Sequence, residues 1–524
     1  MRTPMTRRTI AALIAWVILP LAAVANSGNT GLPVEKTQDR PRINGPSIYG
    51  ARPNHPFLYK IPATGQRPMQ FSASGLPDGL KLDSATGIIT GAVKTPGTSS
   101  VLLRAENALG TAERKFRIVI GDTIALTPPM GWSSWYFLQC GSSDQNIRQQ
   151  TDAMVSSGLA DHGYSYINID GCWSMKPGSK DPSRSGEPRD ASGTLRPNGR
   201  FKDMKALTDY IHSKGLKAGI YSSPGPVDCA GYTTSWGHEA GDAATFAHWG
   251  FDFLKYDLCS YGDVAPLKTT EDHQRPYRLM GGLLQKQDRD IVFNMCQYGN
   301  AEVWKWGREV GGHYWRESGD LGWGPKGIYS IWDNIVGIFE QDDRAKWAGP
   351  GGWNDPDNIM IGYIAHVPAG TAESPVNVSR IVPVPLTPDE QYTYMSLWTL
   401  LSAPLILSSD LTQLDSFALS LLTNDEVIDV NQDSLGKQAT RVFNSGGLSV
   451  WAKDLEDGSK AVGLFNLGDS EKDVAAAWAD LGISGKRNVR DLWMHEDLGR
   501  YDGEFHASVT PHGVVLVRIS AVGE

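Results

Sequence analysis

The chain has 524 residues, 40% of them apolar and 20% charged, a balance that builds packed cores and excludes an intrinsically disordered protein. A formal charge of −9 argues against a nucleic-acid binder, which needs a concentrated basic face. At roughly 100–200 residues per domain the length predicts about three domains. The 17 tryptophans and 57 glycines fit either recognition of polar ring ligands or ordinary core filling.

Arg2, Arg7 and Arg8 precede an apolar run from Ile10 to Val24, and Ala23-Val24-Ala25 is a small-x-small cleavage signal. This pattern predicts a secretory signal peptide over 1–25. A membrane anchor is disfavoured because Pro20 interrupts a run shorter than a usual span. No later stretch is apolar for long enough to span a membrane, so the mature chain is expected to be secreted or periplasmic, with no integral membrane segment. In that compartment Cys140, Cys172, Cys229, Cys259 and Cys296 become disulfide candidates, and their odd number leaves at least one unpaired. Residues 26–46 are polar and aperiodic, which predicts a linker.

Over 47–121 short alternating runs such as Val101-Leu102-Leu103 and Phe116–Ile120 are separated by turn signals such as Pro77-Asp78-Gly79. An Ig-like β-sandwich is predicted there. Over 122–437 apolar runs alternate with helical patterns such as Asp203 to Lys214 and Ala240 to Trp249. The runs end at Trp135, Asp170, Ser222, Asp257, Cys296, Asp320, Asp357 and Ser409. Eight such units predict an α/β chain built on a (β/α)8 TIM barrel. Residues 438–524 return to short strand-like runs, such as Leu448–Trp451 and Val514–Val517, predicting a C-terminal antiparallel β-sandwich.

Asp170, Asp257, Asp320 and Asp357 would all reach the C-terminal mouth of that barrel, where barrel enzymes place their chemistry. Two chemistries use several carboxylates: binding of a hard cation through oxygen ligands, and glycoside hydrolysis by a carboxylate pair. Only 11 histidines are present and none clusters at a strand end. No metal is therefore expected, and hydrolysis by a carboxylate pair needs no cofactor. Trp132 and Trp135 as ring faces, with Lys255 and Arg316 as hydroxyl donors, favour a neutral sugar. Simple ion pairing would explain any one of these aspartates, but four at successive strand ends speak against it.

Several motifs carry a family resemblance. They are Thr127-Pro-Pro-Met-Gly-Trp-Ser-Ser-Trp135, Asn168-Ile-Asp-Gly-Cys-Trp173, Leu254-Lys-Tyr-Asp257, Trp353-Asn-Asp-Pro-Asp357 and Asp429-Val-Asn-Gln-Asp433. The chain resembles the α-galactosidases of glycoside hydrolase family 27, and its 47–121 segment resembles immunoglobulin-like modules appended to secreted enzymes, with a spacer role expected. The resemblance implies a retaining exo-glycosidase releasing terminal α-linked galactose from oligo- or polysaccharides. Asp257 would be the nucleophile and Asp320 the general acid/base, with carboxyls ~5–5.5 Å apart. It implies that Trp135, Asp170, Tyr221, Lys255, Gln297, Arg316 and Asp357 line the sugar pocket. It also implies disulfides Cys140–Cys172 and Cys229–Cys259, leaving Cys296 free beside the pocket.

Two departures bear on the substrate. The family usually has a second aspartate where this chain has Gly171, and a glutamate where it has Gln297. The glycine is expected to open space and shift specificity, which keeps another α-glycoside or a β-L-arabinopyranoside as alternatives. A glycan-binding protein without catalysis is the alternative from another class. Oligomeric state is not encoded in these patterns.

Overall fold

The computed structural model describes residues 39–341, 343–368 and 380–523. The expected signal peptide and the first part of the expected linker lie outside the described residues. Arg42–Ile43, within the stretch expected as linker, pair with Ala63–Thr64, and Ile43 is buried in the core of the N-terminal module.

That module is a β-sandwich. Gly97–Asn107 and Gly110–Ile120 form a long hairpin flanked by Gln70–Ser74 and Ile48–Ala51. A second sheet holds Phe57–Lys60, Ile88–Gly91 and Leu80–Leu82. Alternation puts Phe116, Ile118 and Ile120 inside, between half-exposed neighbours, as a one-sided sheet requires.

The middle of the chain forms eight parallel strands in sequence order. They are β1 (Met130–Ser133), β2 (Tyr166–Asn168), β3 (Lys217–Ser222), β4 (Phe253–Asp257), β5 (Val292–Cys296), β6 (Tyr314–Arg316), β7 (Trp353–Asp355) and β8 (Leu405–Leu407). The β1 strand also pairs with β8, and Ile359, just past β7, bridges Leu407 to complete the curl. The strands are buried on both faces, which is why they read as unbroken apolar runs. The first residues of five strands, Tyr166, Phe253, Val292, Tyr314 and Trp353, pack with Ile124 into an apolar plug at the barrel's N-terminal end.

The helix Pro388–Leu400 opens with a capping box, Thr387 and Glu390 each holding the other's backbone N–H. It shows no amphipathic period because it is buried on every side, between the barrel and the C-terminal strands Lys460–Asn466 and Val514–Ala521. Those strands belong to a six-stranded antiparallel sheet facing the pair Lys472–Ala477 and Glu504–Val509. Trp451, Phe465 and Leu516 continue the barrel's own apolar core into this domain.

The N-terminal sandwich docks through ion pairs. Lys60 and Arg67 both reach Asp161, at 3.1 and 2.9 Å, and His55 reaches Asp290 at 2.8 Å. Asp161 and Asp290 precede β2 and β5, so the sandwich sits at the end of the barrel away from the mouth. Among the described residues no helix is long and apolar enough to cross a membrane.

Candidate active site

Strand alternation builds the centre of the site. Asp257, the last residue of β4, and Lys255, two before it, point the same way, and Tyr221 on β3 is the register partner of Lys255. The Asp257 carboxylate accepts three hydrogen bonds, from the Tyr221 hydroxyl at 2.9 Å, the Tyr298 hydroxyl at 2.7 Å and the Leu258 N–H at 2.8 Å. Burial pushes its carboxyl above the ordinary range, the Lys255 charge and the Tyr298 hydroxyl oppose this, and the Asp320 charge adds to it.

Lys255 Nζ donates to Asp170 Oδ2 at 3.0 Å, and the Ser133 hydroxyl donates to the same oxygen at 3.2 Å. Burial works against the Lys255 ammonium, but the negative charges around it, Asp170 first and then Asp257 and Asp320, together overcome this and hold the group above its ordinary range. The ammonium also lies 5.9 Å from the centre of the Trp135 ring, so one cation serves a carboxylate and an aromatic wall.

Asp320 comes from the loop after β6, four residues past Arg316. The guanidinium of Arg316 donates to Asp320 Oδ1 at 2.9 Å and pairs with Asp357 Oδ1 at 3.1 Å. It also holds the carbonyls of Ser318 and Gly319, at 3.2 and 2.7 Å, which pins the loop that carries Asp320. Asp357 in turn accepts from the Tyr136 hydroxyl at 2.6 Å and from the N–H groups of Leu321 and Asn358.

Above these groups lies a cavity of about 490 Å³ at the barrel mouth. Trp135, Asp170, Tyr221, Lys255, Asp257 and Asp320 line it together. Arg316 and Asp357 do not reach its wall. They stand below it, around a small space inside the barrel shared with Asp170 and Lys255, and act on the pocket through Asp320 and its loop.

Gln297 is the clearest departure from expectation. It is fully buried, and its amide donates to the carbonyl of Asn300 instead of facing the cavity. The chain turns sharply at Tyr298 and Gly299, with φ of 63° and 81°, and this turn sends the Tyr298 ring into the pocket in its place. A bulky residue held at positive φ is uncommon and marks a position that the surroundings over-determine. Nor does Gly171 open space: a Cβ built on it would lie 3.0 Å from Asp228 Oδ2.

Trp132 and Trp353 are fully buried, their indole N–H groups donating to Ser409 and Ala125 carbonyls, so neither offers a face to a sugar. Trp323, which sequence patterns did not single out, lines the pocket beside Trp135. Both expected disulfides are present, and Cys229 and Cys259 form part of the pocket wall. Cys296 is free and buried behind the wall, with Sγ 3.8 Å from Arg316.

Beneath the pocket a second layer of carboxylates went unread in the sequence. Burial pushes Asp355 up to about 7, with Arg316 opposing and Asp357 adding, and burial likewise pushes Glu317 up to about 7 against Arg344. The folded chain therefore holds more protons than the unfolded chain between about pH 4 and 7. Stability contributed by these groups is complete below the unfolded value and is lost as pH rises through about 7. The melting temperature of Asp355→Asn is expected to fall less than that of the unsubstituted chain between pH 4 and 7; parallel curves would contradict this.

Comparison with known proteins converges on the same pocket-bearing barrel. A family model described as alpha galactosidase A matches residues 127–433, one for the alpha galactosidase C-terminal beta sandwich domain matches 445–519, and one for an Ig domain matches 40–121. Alpha-galactosidase 2 of Arabidopsis thaliana is 38% identical over 410 residues, covering 77% of this chain and 92% of its own. A Bacteroides fragilis protein solved as a candidate α-galactosidase/melibiase superposes with a TM-score of 0.82 at 36% identity, covering 93% of this chain and 100% of its own. A β-L-arabinopyranosidase of family 27 from Geobacillus stearothermophilus superposes with a TM-score of 0.65 at 26% identity, over 76% of this chain and 98% of its own. A barrel with its carboxylates gathered at the mouth, matched along its length by these relatives, is a glycoside hydrolase, and the chain belongs to the α-galactosidase family.

Proposed function

We propose that the chain is a secreted retaining exo-glycosidase that releases terminal α-linked galactose from oligo- or polysaccharides. The observation that carries this reading is the placement of Asp257 and Asp320 in the wall of one pocket, each held by its own partners. Asp257 attacks the anomeric carbon while Asp320 protonates the departing glycosidic oxygen, giving a covalent glycosyl-enzyme. Asp320 then takes a proton from water as that water displaces Asp257, so one carboxyl serves as acid and then base. The two tyrosine hydroxyls fix the attacking carboxylate, which keeps the reacting atoms near their attack geometry. Trp135 supplies an apolar ring face, while Asp170 and Lys255 offer an acceptor and a donor for sugar hydroxyls. Arg316 and Asp357 are positioning residues that set the Asp320 loop.

The predicted signal over 1–25 would deliver the chain to an oxidising compartment, and the two disulfides suit that destination. We assign the barrel to 122–437, the C-terminal sandwich to 438–524 and the Ig-like module to 47–121, the last as a spacer, since it docks away from the mouth.

A panel of p-nitrophenyl glycosides tests the sugar. The α-D-galactopyranoside is expected to give the highest kcat/KM. Faster hydrolysis of the α-D-glucopyranoside or the β-L-arabinopyranoside would replace the galactose reading with one of those.

A further inference from the structure

The position after Asp170 is bare, yet its backbone does not call for glycine, since Gly171 lies outside the positive-φ region where side chains are strained. Space there is tight. A Cβ there would meet Asp228 Oδ2 at 3.0 Å and the Tyr221 ring at 3.6 Å. A carboxylate delivered from the loop before Cys229 thus stands where a side chain of residue 171 would stand, and it lines the pocket with Asp170, Lys255 and Asp257.

Asp228 is bound in a way that leaves one acceptor site open. Its Oδ1 accepts from the N–H groups of Ala230 and Tyr232, at 2.9 and 2.8 Å, and its Oδ2 accepts from the Cys172 N–H at 3.1 Å. A carboxylate offers about four lone-pair sites, so one on Oδ2 remains. Pinning the turn does not require a charge. An asparagine carbonyl would cap Ala230 and Tyr232 equally well, although its NH2 would then face the Cys172 N–H, and it would avoid burying a carboxylate that no cation among the described residues pairs. Burial pushes this carboxyl up to about 6, the three backbone donors oppose it, and the Asp170 charge adds to it, so the cost is real.

We propose that Asp228 is a specificity-determining residue that accepts a hydrogen bond from one hydroxyl of the bound sugar, with Gly171 kept bare to admit its carboxylate. This rests on the reading of the pocket as a sugar site. It also reverses the expectation that Gly171 opens space: an acceptor from another loop fills it, and Gly171→Asp would set two carboxylates against each other.

The test uses the full chain with p-nitrophenyl α-D-galactopyranoside and its 2-, 3-, 4- and 6-monodeoxy analogues. Asp228→Asn retains the oxygen that caps Ala230 and Tyr232 and loses the acceptor for the Cys172 N–H, a loss common to all five substrates. Its kcat/KM on the parent substrate is expected to fall about 10- to 100-fold, the range of a hydrogen bond to a charged group. On the one analogue that lacks the contacted hydroxyl the fall is expected to shrink to about threefold or less. Gly171→Ala, whose backbone is unstrained, displaces the carboxylate and is expected to show the same selectivity at smaller amplitude. This second variant keeps the test open if Asp228→Asn does not fold. An equal loss on all five substrates, which a merely structural role produces, or no loss on any, overturns the proposal. Inactivity of the unsubstituted chain on all five overturns the galactoside reading and this proposal with it.

Discussion

Asp257→Asn is expected to reduce turnover by about 10⁴-fold or more, the scale of removing a covalent nucleophile, while the variant folds normally. An amide cannot form the glycosyl ester, yet it has the carboxylate's shape, and its oxygen still accepts from Tyr298 or Leu258. Lys255 stays paired with Asp170 at 3.0 Å, so the neutral replacement leaves no unpaired charge behind. A second variant separates a lost nucleophile from a lost fold. Asp257→Gly vacates a space at the pocket wall that a small anion can enter. With an activated galactoside and azide it is expected to yield the glycosyl azide of inverted anomeric configuration, because only one displacement then occurs. Near-normal hydrolysis by a folded Asp257→Asn chain would remove Asp257 from the mechanism.

The parts of this molecule legible in its sequence are those that obey a period or end one. Buried parallel strands read as unbroken apolar runs, and a carboxylate closing such a run, as Asp257 closes β4, lands at the barrel mouth by geometry alone. Asp320 was expected at the end of an apolar run, yet it sits four residues beyond its strand, on a loop held by Arg316, by the Ser318 hydroxyl on the Pro356 carbonyl and by the Leu321 N–H on Asp357. Tyr298 and Trp323 escaped notice because they lie on loops, where no period constrains a side chain. Gln297 was misplaced by one residue for the same reason, since a positive-φ turn reverses which neighbour faces the cavity. Trp132 and Trp353 belong to mouth motifs yet are wholly interior, because a motif gives neighbourhood and not orientation. Gly171 misled most. The atom that fills its space belongs to Asp228, on a different loop whose approach to Cys172 spans 56 positions of sequence. Contacts of that kind are set by the fold.

The complementary experiment is Asp320→Asn, and its effect should depend on what leaves. A general acid matters in proportion to the basicity of the departing oxygen, and positioned acid–base groups supply about 10²- to 10⁴-fold. With an oligosaccharide substrate the leaving group is a sugar alkoxide, so kcat/KM is expected to fall across that range. With a 2,4-dinitrophenyl galactoside the leaving group is stable as an anion and needs no proton, so kcat/KM should change little. Turnover of that substrate should still slow, because Asp320 no longer activates the water that frees Asp257. The covalent intermediate then accumulates, lowering KM together with kcat. Azide needs no general base, so it should restore kcat on the dinitrophenyl substrate and give the azide of retained configuration, opposite to that from Asp257→Gly. The replacement should not collapse the site. Arg316 stays anchored by Asp357 and by the Ser318 and Gly319 carbonyls, so the loop keeps its course. A loss of kcat/KM that is the same for both leaving groups would show that Asp320 holds the pocket together without donating a proton. The carboxyl that completes the pair would then have to be sought among Asp170 and Asp228, the other acidic side chains of the pocket whose charges act on Tyr221.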